Sequence, residues 1–95
     1  MFYDAQGLTL DLTKITRLYP AAIVEGAGAE AQVSLEWAEM KKEEVRIAEY
    51  VLVFDFDPPG EVPLQRQILH FETKEALFTT MQELSDIFEK AYGRK

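Results

Sequence analysis

Asp55 and Asp57 are the first residues in this chain whose types and spacing suggest joint chemistry. Two apart on an extended strand, they share a face with their Cα atoms about 7 Å apart. Glu61 follows beyond a Pro-Pro-Gly turn. Such hard oxygen donors could hold a divalent cation, although the spacing does not match an EF-hand loop. The plainer expectation is the solvated end of a strand and its turn, where aspartate is common. His70 is the one histidine. On a strand Glu72 would share its face and could orient it as a general base. The nearest hydroxyls, Thr73, Thr79 and Thr80, stand in no nucleophile motif. A catalytic triad thus lacks its other half, and the expectation is a histidine at the rim of a strand in a chain that is not an enzyme.

Other candidates are weaker in chemistry. Gly26-Ala27-Gly28 lacks the third glycine and the βαβ context of a dinucleotide fingerprint, so it reads as a turn. Lys41, Lys42 and Arg46 could attract an anion, but Glu39, Glu43, Glu44 and Glu49 interrupt them. The formal net charge of −7 argues against nucleic-acid or anionic-membrane partners. Trp37, Tyr19 and Tyr50 could anchor an interface, with Trp37 expected in the core. The absence of cysteine excludes disulfides and thiolate metal sites and fits a reducing compartment. The start, MFYDAQGLTLD, has neither a basic region nor a sustained apolar run, so a leader peptide is not expected. No apolar run approaches a bilayer span. We expect a cytoplasmic protein with no cofactor.

These residues must be positioned by some framework, and the chain is organised around Val45–Asp57, VRIAEYVLVFDFD. Its β-branched and aromatic content predicts a central strand. Val45 and Ile47 are two apart, as are Tyr50, Leu52, Phe54 and Phe56, with a step of three between the sets. A bulge at Ala48-Glu49 would bring both sets to one face. Alternation predicts a strand at about 7–12 and another at 15–25, where Pro20 marks an edge or a bulge. Residues 31–38 read as a strand with Val33, Leu35 and Trp37 on one face. A helix is the alternative over 29–49, since Ala38–Glu44 are strong helix formers, with a short helical turn near Trp37–Glu44 as the compromise. A further strand is expected at 64–71. Thr73 as N-cap, Glu75 in the first turn, and apolar Leu77, Met81, Leu84, Phe88 and Ala91 predict a helix over 74–92.

The predicted fold is α+β: four to five antiparallel strands and one amphipathic C-terminal helix across the sheet, within a single domain of residues 1–95. Val51 and Val53 face away from the main apolar side of the central strand. So do Tyr19, Ile23 and Ile68 of neighbouring strands. One helix covers one side of a sheet, so this second face calls for other cover. Either the sheet curls into a partly closed barrel, or a second copy or a protein partner meets it. The expected contact residues are Val51, Val53, Ile23, Ile68 and Tyr19, in a protein that works by association. The alternatives are a small-ligand or cation-binding domain using Asp55 and Asp57, and a small enzyme around His70 and Glu72.

The segments LDLTKITRLYP and ILHFETKEALFTTMQEL are similar to the early strands and to the last strand and helix of pleckstrin-homology-like domains. The resemblance implies several strands forming a partly closed barrel, closed by the C-terminal amphipathic helix. The basic phosphoinositide loop of that family has no counterpart here, so the resemblance carries over no lipid function and no site residues.

Overall fold

The computed structural model describes residues 1–58, 60–62 and 64–93. Pro59 of the Pro58-Pro59-Gly60 strand terminator therefore lies outside the described residues. In chain order the elements are β1 (Phe2–Ala5), β2 (Leu8–Asp11), a 3-10 turn (Leu12–Lys14), β3 (Arg17–Gly26), β4 (Ala29–Val33), α1 (Leu35–Met40), β5 (Arg46–Asp55), β6 (Gln67–Phe71) and α2 (Lys74–Tyr92). The class is α+β, with every strand pairing antiparallel.

β5 is an inner strand of a four-stranded sheet ordered β4-β3-β5-β6. The sheet is open. β4 and β6 are its two edges and do not pair with each other, so the barrel alternative does not form. Opposite residues share a face in an antiparallel ladder. The pairs Pro20–Leu52–Leu69 and Leu18–Phe54 define the front; Tyr19–Val53–Ile68 and Ala21–Val51–His70 define the back. The three-residue step in β5 is a bulge. Ile23 opposes Glu49 and Val24 opposes Ile47, which leaves Ala48 as the extra residue. Val45, Ile47 and Tyr50 consequently pack together around Ala22, Val24 and Ala38.

The front is the main core. Leu52, Phe54 and Leu69 lie under Leu77 and Leu84 of α2, with Leu10 and Leu12 closing one end. Each such fully buried side chain contributes roughly 1.5–3 kcal/mol. Thr73 caps α2 by accepting the Ala76 N–H at 3.1 Å. At its far end Gly93 has φ −69°. Glycine is needed there for space rather than for a left-handed backbone, because a Cβ would collide with the Glu89 carbonyl oxygen.

Three sequence expectations are corrected. First, the strand over 7–12 is one arm of a hairpin whose other arm, β1, was not foreseen. Its turn is Gln6-Gly7, with φ of 53° and 81°, and Gln is not a residue that announces a left-handed turn. Second, the strand over 31–38 stops at Val33. Ser34 accepts the Trp37 N–H at 3.0 Å, an N-cap that starts α1. Helical spacing then turns Ala38 onto Ala22 and Val24 and leaves Trp37 39% exposed, not in the core. Third, the last strand begins at Gln67, not residue 64. The Asp57 carboxylate accepts the Leu64 and Gln65 N–H groups at 2.8 and 2.9 Å. That turn holds them away from the ladder and leaves Leu64 exposed.

The edges are blunted in two ways. β4 pairs only with Ala22–Gly26, so the Arg17–Ala21 half of β3 has a free side, and Pro20 sits in it. Proline limits further pairing there. On β6, the Gln6 side-chain amide accepts the His70 N–H at 2.9 Å and donates to the His70 carbonyl at 2.7 Å. One side chain thereby occupies the outward-facing peptide groups of that residue.

The β3–β4 turn holds Ala27 at φ 55° beside Gly28 at 80°. An L-residue with a Cβ costs about 1–2 kcal/mol in that region, and asparagine is favoured at the first position of such turns. Ala27→Asn is therefore expected to stabilise by about 1 kcal/mol, raising Tm by roughly 4–8 °C in thermal unfolding. No gain would mean that the turn relaxes to another geometry.

Candidate functional site

Each sequence candidate has a definite place. Asp55 closes β5 on the back face and is 2% exposed, so it is not the wet end of a strand. Arg66 grips it in a two-bond fork, Nε to Oδ1 at 2.7 Å and Nη2 to Oδ2 at 3.2 Å. Arg17 stands 3.9 Å from Oδ2 and lies over the Tyr19 ring at 4.8 Å. The hydrogen bond from Arg66 is the main cause that holds the Asp55 carboxyl below the ordinary carboxylate value. Burial opposes it, and the charges of Arg66 and Arg17 add to it. A cation here would have to displace two guanidinium groups. Asp57 is engaged with backbone N–H groups, as above. Among the described residues no group of three or more metal-ligating side chains is assembled.

His70 does not use Glu72. Its Nδ1 lies 3.1 Å from Oε2 of Glu49 on β5, because the β5–β6 register sets His70 opposite Val51, one step along the face from Glu49. Two clefts near the sheet are lined by other residues. An open cleft of about 710 Å³ lies between the free side of β3, α1 and the start of α2, lined by Arg17, Pro20, Val33, Glu39, Lys74 and Phe78 among others. Two of its charges pair with each other: Glu39 accepts from Lys74 at 3.1 Å, and from Lys42 at 2.9 Å. These hydrogen bonds, that from Lys42 foremost, hold its carboxyl low. The Ser34 hydroxyl on the wall of that cleft is spent on capping α1. A second hollow of about 300 Å³ is apolar, between Leu18, Pro20, Leu52, Met81, Leu84 and Phe88. Neither presents a nucleophile beside a base.

The back face is the arrangement that strand pairing assembles from distant segments. Ala21, Val51 and Val53 are 2%, 1% and 0% exposed, and the half-buried hydrophobic groups packed on them are Tyr19, Ile23 and Ile68. All six belong to the sheet; α1 and α2 pack on the front. Of the five residues expected on this face, all lie on it, with Val51 and Val53 buried and the other three partly exposed. Val51 and Val53 are short and are closed over by longer neighbours, so they form the floor. Tyr19, Ile23 and Ile68 form the accessible ridge. Arg17, Asp55 and Arg66 bound one end of this strip, and Glu49 with His70 bounds the other. Sequence reasoning missed Arg17 and Arg66 as members of the face. Period-two spacing from Tyr19 and Ile68 was the signal that could have found them.

Comparison with known proteins finds no matching family model, no matching curated protein and no matching solved structure.

Asp55→Asn removes the charge that two guanidinium groups surround. It is expected to cost about 2–3 kcal/mol, less than the loss of a fully buried pair because Arg66 keeps some solvent. Because the folded carboxyl titrates below its unfolded value of 3.8, its stabilisation is complete above that pH. It is lost as pH falls through the folded value. Acid unfolding followed by circular dichroism should thus lose this component in Asp55→Asn. An unchanged acid limb would show that the pair contributes nothing net.

Proposed function

We propose that this chain is a non-catalytic protein of the cytoplasm that works by association, as a self-association or protein-interaction module, and that the back of its sheet is the contact surface. The observation that carries the reading is a floor of Ala21, Val51 and Val53 ridged by Tyr19, Ile23 and Ile68, with no helix laid on it among the described residues. Aromatic and aliphatic groups set in a ring of arginine, carboxylate and histidine match the composition of protein contact surfaces. The net charge of −7 supports a protein partner over a nucleic acid. No helix among the described residues is long and apolar enough to cross a membrane. The engagement of Asp55 by Arg66 and of His70 by Glu49 supports this reading over the cation and enzyme alternatives.

A photo-activated cross-linking residue at position 68, in living cells of the source organism, tests the reading. It should give a discrete heavier product that is lost when Ile23→Lys is added. The same probe at position 82, on the exposed side of α2, should give none. Equal or absent products at the two positions would defeat the reading.

A further inference from the structure

We infer that the occupant of the back face is a second copy of this chain, laid face to face with its strands reversed. This inference rests on the reading of that face as a contact surface and names the partner. Two copies can bring the same sheet face together about a twofold axis lying between the sheets. That axis runs either along the strands or across them. Charge decides between them. At the Arg17 end two guanidinium groups surround one carboxylate, which is 2% exposed, and the nearby Asp57 carboxylate is turned to backbone N–H groups, so the groups that end presents to a partner are the guanidiniums. At the other end the half-exposed Glu49 stands beside His70, and in the next row Glu25 is paired with the exposed Arg46, so among the described residues Glu49 is the acidic group there that no arginine answers. An axis along the strands would set Arg17 and Arg66 of one copy against the same residues of the other. An axis across the strands sets them against Glu49 instead.

The reversed arrangement also suits shape. Along β3 the back face runs Arg17, Tyr19, Ala21, Ile23. An axis between the Tyr19 and Ala21 rows lays the large Tyr19 of one copy over the small Ala21 of the other. Arg17 then comes to the end that carries Ile23 and Glu49. Aligned sheets packed in this manner stand about 10 Å apart. β4 runs beside only the Ala22–Gly26 half of β3, so three strands at roughly 4.8 Å spacing and seven residues at about 3.3 Å bury on the order of 700 Å² from both copies together. That is below the usual size of stable contacts, so the dimer is weak and populated only at high concentration.

Sedimentation of the purified full chain, taken up to about 1 mM as suits so small a contact, tests the inference. The wild type should shift from monomer to dimer. Ile68→Lys, Arg17→Glu and Glu49→Arg should each weaken the dimer about tenfold or more, and the double variant Arg17→Glu/Glu49→Arg should recover it. Circular dichroism checks that each variant is folded. If Arg17→Glu unfolds through its contact with Asp55, Ile68→Lys and Glu49→Arg carry the test. A wild type that stays monomeric at the top concentration overturns the inference, as do folded Ile68→Lys and Glu49→Arg variants that dimerise like wild type. Failure of the folded double variant to recover overturns the reversed arrangement. A monomer in solution together with a position-68 cross-link to another protein in cells leaves the contact surface standing and removes only the second copy.

Discussion

The structure depends on one constraint: β5 is apolar on both of its faces, and both helices pack on one of them. Leu52 and Phe54 point to the front, where α2 buries them. Val51 and Val53 point to the back, where the sheet must provide its own cover. It does so with short β-branched groups at the centre and longer ones beside them, so that Val53 is 0% exposed without any second layer. This solution keeps the floor dry but leaves the ridge half in water. The back face thus keeps a dry floor under a half-exposed apolar ridge.

Polar groups on that face follow the same economy. Asp55 falls at the buried end of β5, and a lone buried carboxylate would be costly. The fork from Arg66 and the nearby charge of Arg17 neutralise it. Among the described residues no buried side-chain polar atom lacks a partner. The carboxylate that looked most like a ligand is thus an internal element of the sheet end. What it presents outward is the positive charge of its neighbours. The Gln6 amide on His70 does related work at the β6 edge, where unpaired peptide groups would otherwise invite another strand.

Much of this was legible in the residues. The period-two pattern of β3, β5 and β6 sorted residues to the correct faces, and the step of three in β5 announced its bulge. The cap and stripe of α2 were equally plain. Other features rested on interactions too local or too distant to read. Gln6-Gly7 turns because the hairpin packs on the core and its amide finds β6, not because glutamine favours a left-handed backbone. Ser34 starts a helix where alternation pointed to a strand, because Ala38 is small enough to sit on Ala22 and Val24. Asp57 holds back Leu64 and Gln65 through bonds that composition does not reveal.

The amino-acid sequence by itself determined the class, the central strand, the amphipathic final helix and the existence of a second apolar face, because each is a matter of periodicity along one segment. Only the tertiary structure decided that Arg66 and Arg17 close on Asp55, that Glu49 rather than Glu72 meets His70, and that Val51 and Val53 are buried under their neighbours. Those outcomes depend on the register between strands. Register is fixed when the front core packs as a whole, and no segment carries it alone.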